Sequence, residues 1–280
     1  RKYFTEFEQF SVQMGERSGQ LVAVLRDLAA FHDKRLALQR KMVQAFSYPV
    51  VVIFIAVGVL FFMINFVVPM FRDIFKRFDA DLPAITEAVL RLSDFTTTYS
   101  LHLLGGMAVL ALGYWQIRKR PWFQYWTGRL LLRLPIVGVI VRKIQISRLS
   151  YSLALMLRSR VNLDASLELL EKVVAFLPIK RTIGPVRQEV VEGKTLYSAM
   201  QKHTIYPEML LQMVKVGEKT ARLDDMLEQV ARTYEAESES GISTLTSLLE
   251  PILIVVLGLL VGVILVSMYL PMFELSNTFL

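Results

Sequence analysis

Residues 42–71 form thirty consecutive positions without an Asp, Glu, Lys or Arg. A run of that length restricts the chain severely. Twenty of these residues, Pro49–Val68, would rise about 30 Å as a helix, the thickness of a hydrocarbon core. Inside hydrocarbon every backbone N–H and C=O must pair within its own segment, and a helix does that. Residues 251–273 repeat the pattern, again uncharged. A third uncharged stretch, 95–117, has the shorter apolar part Leu101–Ile117, which contains His102, Gly105, Gly106 and Gly113. It reads either as a third span or as a buried soluble helix. Trp115 and the run Arg118-Lys119-Arg120 favour the span, because aromatic and basic residues collect where a span meets water. The composition agrees: 54% of the 280 residues are hydrophobic, 20% are charged, and mean hydropathy is +0.43. That is more apolar material than one water-facing core of this size holds.

Charge placement sets an orientation. Residues 1–48 carry eight Lys/Arg and five Asp/Glu, and residues 118–250 carry twenty and fourteen. Residues 69–100 carry four and five, and Glu274 alone is charged after Glu250. Lys and Arg are retained on the cytoplasmic side during insertion. The two basic segments are therefore expected inside, with Lys34, Arg35, Arg40 and Lys41 before the first span and Arg118–Arg120 after the second. Arg72, Lys76 and Arg77 just beyond the first span, and the acidic Glu235, Glu237, Glu239 and Glu250 before the last, run against the rule.

The chain also repeats itself. At an offset of 202 residues, twelve positions between 6 and 71 are identical to their counterparts without a gap. Gly15-Glu16 meets Gly217-Glu218, Pro49 meets Pro251, and Pro69-Met70-Phe71 meets Pro271-Met272-Phe273. Each copy reads as a Gly-Glu turn, an amphipathic helix, a proline, a span and a second proline. Leu21, Val24, Leu25 and Leu28 recur at helical spacing, as do Leu223, Met226, Leu227 and Val230. The Gly-Glu pair is expected to supply a turn with an acid near a helix N-terminus, in preference to direct partner contact. Upstream of the second copy, Asn162 is placed to N-cap a helix through Leu163, Leu167, Leu170 and Val174. Pro178, Gly184-Pro185 and Gly193 are expected to break the chain after that helix into short pieces. Residues 118–250 thus read as several short helices in a bundle. The first copy's equivalent would start about sixty residues before Arg1, so its bundle is expected to be truncated at the N-terminus.

The fold class expected is all-α and integral to the membrane, with three transmembrane helices and two related cytoplasmic helical-bundle domains. The segments are 1–48, the C-terminal part of cytoplasmic domain 1; 49–68, span one; and 69–100, an outer, periplasmic segment. Next come 101–117, span two; 118–250, cytoplasmic domain 2; 251–271, span three; and 272–280, an outer tail.

No phosphate-binding Gly-rich loop, zinc-protease helix or nucleophile elbow occurs, so no catalytic residue, cofactor or metal site is expected and the chain does not read as an enzyme. His32, His102 and His203 are isolated from one another, and with no cysteine neither disulfides nor thiolate sites arise. Trp122, Phe123, Tyr125 and Trp126 beside Arg129 and Arg133 read as a membrane-interface belt in preference to a nucleic-acid surface. A small oligomeric transporter is the rival reading, since transporters carry repeats and interrupted helices. The spans offer little for a polar path beyond Asn65, Ser267 and His102. Gly258 and Gly262 fit close helix contact and dimerisation or the ordinary glycine usage of spans, equally.

Together these residues resemble the type II secretion F / type IV pilus inner-membrane platform family. The resemblance rests on Gly15–Leu21, Tyr48-Pro49, Val68–Phe71, Leu82-Pro83-Ala84-Ile85-Thr86, Leu134-Pro135-Ile136-Val137-Gly138, Gly217-Glu218, Glu250-Pro251 and Tyr269–Phe273. It implies a non-catalytic platform beneath a growing filament, in the bacterial inner membrane with the N-terminal part cytoplasmic and the C-terminus periplasmic. It implies as partners a cytoplasmic hexameric assembly ATPase, pilin or pseudopilin subunits and other inner-membrane assembly proteins. A homodimer is the default assembly. Two departures stand out. Ala221 replaces the Gly19 of the first copy, which is expected to blunt the second turn. Arg160 stands in Ser159-Arg160-Val161 where the family has Ser-Gly-Val, which places it on a connection that could face a partner.

Overall fold

The computed structural model describes residues 6–17, 19, 21–67, 69–70, 112–118 and 120–278, with scattered positions between 87 and 110. The described residues are helical, without strands. In order, the helices are α1 (Glu6–Arg17), α2 (Leu21–Phe62), a π-helical turn (Met63–Val67), α3 (Pro121–Arg133), α4 (Val137–Arg158), α5 (Leu163–Val173), α6 (Leu177–Val191), α7 (Leu196–Met200), α8 (Glu208–Thr220) and α9 (Leu223–Thr278). Two compact units result, one of Arg1–Met42 with Ile117–Thr244, the other of Val43–Gln116 with Leu245–Leu280.

The first unit is organised by α4. This helix is buried almost all round over residues 149–156. Its buried residues Ile146, Leu149 and Leu153 join Leu167, Leu170, Ile179, Ile183, Leu196, Leu210, Val214 and Leu227 in the larger core. Its Leu155 and Met156 face a second cluster with Val24, Leu28, Val161 and Leu169. A stretch buried on both flanks needs cover on each, and here α5–α9 cover one side while the α1–α2 hairpin covers part of the other. Of the α4 serines, part-buried Ser147 donates to the carbonyl of Ala231 at 2.8 Å, whereas the fully buried Ser150 hydroxyl has no hydrogen-bond partner among the described residues.

Asn162 caps α5 as its position implies, its Oδ1 accepting from the Ala165 N–H at 2.8 Å. The Gly184-Pro185 pair behaves differently from expectation. Helix α6 runs straight through it and ends only at Gly193, whose φ is +90°. Pro185 removes one backbone donor, but Ile179, Ile183 and Val186 are 1–2% exposed in the core, and that burial holds both ends of the helix in line. Pro178, by contrast, sits in the first turn of α6, where its missing N–H costs nothing.

In the second unit the prolines do not delimit the helices either. α2 is continuous through Pro49 and α9 through Pro251 and Pro271. Only Pro69 follows an interruption, the π-helical turn Met63–Val67. Two helical stretches, Leu21–Val67 and Leu223–Ser267, are long and apolar enough to cross a membrane. Their most apolar eighteen-residue windows are 0% and 6% buried, so neither is the core helix of a soluble domain. Val50, Val51, Ile53 and Ile55 on one, and Ile252, Ile254, Val255 and Val256 on the other, point in different directions around their helices and are all exposed. The polar residues of these stretches, Asn65 and Ser267, are repeat equivalents. Asn65 Nδ2 donates to the Phe61 carbonyl at 2.8 Å and the Ser267 hydroxyl to the Ile264 carbonyl at 2.7 Å. Of the expected middle span, 101–117, residues 112–117 are helical and several others lie outside the described residues.

Candidate functional site

The repeated Gly-Glu motif is part of a helical hairpin present twice. α1 and α8 begin at equivalent positions, Glu6 and Glu208, and α2 and α9 begin at Leu21 and Leu223, each pair 202 residues apart. Contrary to the sequence expectation, the glycine does not form the turn. It lies in the last turn of the first helix and lets the second helix approach. A Cβ on Gly217 would meet the Leu223 Cα at 2.8 Å and Met226 Cγ at 3.2 Å. A Cβ on Gly15 would meet the Leu21 Cα at 3.2 Å and Val24 Cβ at 3.0 Å, again in the opening turn of the second helix.

The turn itself is made four residues later. Gly19 has φ +70° and Ala221 φ +54°, so the second turn is as sharp as the first although it carries a side chain. The N–H groups of Ala221 and Arg222 both turn back to the Gly217 carbonyl.

Glu218 acts on a third element. Its carboxylate accepts the backbone N–H groups of Leu196 and of Tyr197, the latter at 3.0 Å. Those are the first two donors of α7, and the Thr195 hydroxyl takes the third from Ser198 at 3.2 Å. A short helix whose opening donors would otherwise face the core is thereby capped. Sequence reading misses this role. The one available signal is negative: Thr195 begins a helix with Ser198, not Glu or Gln, at the capping-box position, which leaves room for a carboxylate from elsewhere. In the first copy Glu16 is exposed.

Against this hairpin stands the end of α4. Arg160 adopts φ +61°. The Arg160 N–H donates to the Leu157 carbonyl and that of Val161 to the Met156 carbonyl, at 3.0 and 3.1 Å. This is a Schellman closure, in which the residue after the cap is left-handed and usually glycine. Val161 and Met156, its apolar pair, share the second core cluster. Arg158, Arg160, Glu218, Ala221, Asp224 and Asp225 line one open, polar groove. Arg158 bonds Glu228, which Arg232 also holds, and stands 3.8 Å from Asp225; Arg222 ties Asp225 at 2.8 Å. Arg160 pairs with no carboxylate among the described residues and is exposed.

Elsewhere on the unit, Arg187 joins Asp164 at 2.6 Å and Glu168 at 3.0 Å, linking α6 to α5. Its hydrogen bond holds the Asp164 carboxyl below the usual carboxylate range. Lys202 does the same for Glu189 at 2.6 Å. Each histidine has structural company: His32 meets the buried Glu8 at 2.7 Å, His203 lies edge-on to Tyr206, and His102 to Tyr99. No group of three His, Cys, Asp or Glu suited to a metal occurs among the described residues. The arrangement is one of ion pairs, caps and an open polar face. Of the residues singled out in the sequence, Gly217, Glu218 and Arg160 come together there. Pro49, Pro69, Pro251 and Pro271 lie along the long helices. Gly258 and Gly262 lie on α9 with open space where a Cβ would stand.

An all-helical, internally repeated chain with two helices long and apolar enough for a membrane defines a class of membrane-anchored hairpin proteins. Within that class the chain belongs to the family described as Type II secretion system (T2SS), protein F, which matches residues 1–69 and 149–271. It is 34% identical to the type IV pilus assembly protein PilC of Pseudomonas aeruginosa, over 99% of this chain and 74% of that protein. It is 32% identical to the PilC of Myxococcus xanthus, over 97% and 66%. It is 30% identical to the type II secretion system protein F of Aeromonas hydrophila, over 98% and 71%. The chain thus spans about two thirds to three quarters of the length of these relatives.

Proposed function

We propose that the protein is the non-catalytic inner-membrane platform of a type IV filament machine, a pilus or a type II secretion system. In this role it couples a cytoplasmic hexameric assembly ATPase to the insertion of pilin or pseudopilin subunits, beside other inner-membrane assembly proteins. It crosses the membrane three times, at 49–68, 101–117 and 251–271, with the N-terminal part inside and the C-terminus in the periplasm, and works as a homodimer. The relatives named for pilus assembly and secretion support the setting. The observation that carries the reading is the shared second core: Val24 and Leu28 of the first hairpin pack with Leu155, Met156 and Leu169 of the later helices. Residues joined in one packed core lie on one side of a membrane. Both basic segments are therefore a single scaffold from which the apolar helices leave, and the open groove at Arg160 is a face for a partner.

Reversing charges on that face tests the role. Arg160→Glu with Arg222→Glu, both exposed and lining the groove, is expected to abolish filament assembly while the protein stays inserted at normal levels, checked by surface-filament counts and membrane immunoblots. Normal filaments from this variant would remove the groove from the docking surface. Substrate flux into liposomes holding this protein alone would favour the transporter reading instead, although Asn65 and Ser267 bond their own helix backbones.

A further inference from the structure

Residues 95–163 contain ten Lys/Arg and no Asp or Glu. Within that stretch α3 has two unlike faces. Its inner face packs on the bundle: the Arg181 guanidinium lies 3.9 Å over the Tyr125 ring, and a Cβ on buried Gly128 would touch Phe176 and Pro178 at 3.1 Å. Its outer face carries Trp122, Trp126 and Leu130 at successive four-residue steps, 68%, 50% and 64% exposed. Arg129 and Arg133 fall on the same face by helical spacing and are exposed. The apolar surface continues around the corner into α4 through Leu134, Ile136 and Val139, all exposed.

Next to this face is a pocket lined by Arg133, Leu134, Val139, Arg142, Lys143 and Tyr234. Lys143 is held by Glu237 at 2.7 Å. Among the described residues, Arg133 and Arg142 have no carboxylate partner, and the buried Arg142 Nε has no hydrogen-bond partner. A helix face of tryptophans and leucine with only positive charge fits an interface that is apolar below and anionic above. Tryptophan settles at headgroup depth, basic side chains meet lipid phosphates, and an acid-free stretch meets no repulsion there. A guanidinium also matches phosphate geometry. From these features we infer that α3 and the corner after it lie in the headgroup layer of the membrane, where Arg133 and Arg142 bind the phosphate of an anionic phospholipid.

The chain has three tryptophans, Trp115, Trp122 and Trp126, so Trp115→Phe leaves the proposed face as the only indole signal. In nanodiscs of the full chain, lipids brominated near the headgroup end of their acyl chains should quench Trp122 and Trp126 strongly, and aqueous iodide only weakly. In neutral detergent, added phosphatidylglycerol should raise the thermal midpoint where phosphatidylcholine and inorganic phosphate do not. Arg133→Gln and Arg142→Gln should each weaken that lipid effect about fivefold, the scale of one basic residue at an anionic surface. The corresponding lysine variants should keep most of it. Full quenching by iodide with none by bromolipid would overturn the inference and assign the face to a protein partner. Equal effects of the two lipids, or an inorganic-phosphate effect matching that of phosphatidylglycerol, would also overturn it.

Discussion

Single residues at the hairpin turns show how a motif can be legible while its task is not. Gly217 and Glu218 are conspicuous because they recur at 15 and 16, yet the glycine provides a close helix approach and the glutamate caps a helix some twenty residues earlier. Neither fact can be read from spacing, because both depend on which helix packs beside α8. Replacing Glu218 by Ala leaves two part-buried N–H groups of α7 without acceptors, and is expected to cost about 2 kcal/mol, measured by thermal unfolding in detergent. The left-handed residues make a separate point. Arg160 and Ala221 occupy a conformation that disfavours any side chain, so Arg160→Gly should stabilise the fold by about 1 kcal/mol. If filament assembly falls in the same variant, the arginine is retained for contact and not for folding.

At the level of elements, the sequence is most readable where period and cap agree. Asn162 with the apolar spacing after it defines α5, and Asp224-Asp225 stands in the first turn of α9. It is least readable at prolines. Pro49, Pro185 and Pro251 each lack a donor, but the helices around them have ends fixed by other forces, and each helix continues. Tyr206 is equally hidden from sequence reading, since its partner Thr182 is on α6. The Thr182 hydroxyl donates to the Ile179 carbonyl at 2.7 Å and so accepts from the Tyr206 hydroxyl, also at 2.7 Å. Burial pushes the Tyr206 phenol up to about 12 from an ordinary value of 10.0. Because the folded value lies above the unfolded one, this stabilisation is complete below pH 10 and is lost as pH rises towards 12. Tyr206→Phe should therefore show a shallower loss of stability across that window than the parent chain, followed by circular dichroism during alkaline titration. Identical slopes would mean the phenol is not kept protonated by its surroundings.

For the whole molecule, the repeat and the shared core lead to one topological consequence. Residues 1–42 and 117–244 form one compact unit, and a packed unit cannot be divided by a bilayer. Under the proposed topology the chain between Met42 and Ile117 leaves the unit's side and returns, which takes two crossings. Among the described residues of this stretch, α2 is long and apolar enough to be one crossing; the proposal assigns the other to 101–117. The chain has no cysteine, so single introduced thiols report cleanly. Gln13→Cys and Gln201→Cys, both exposed, should resist a membrane-impermeant maleimide in intact spheroplasts and react after lysis. Glu87→Cys, also exposed, should react before lysis. Should Gln13→Cys and Gln201→Cys label from opposite sides, the common core and the platform built on it would both fail. Should Glu87→Cys label only with them, the crossings would fail while the core survived, because a chain that never leaves its side needs no second span.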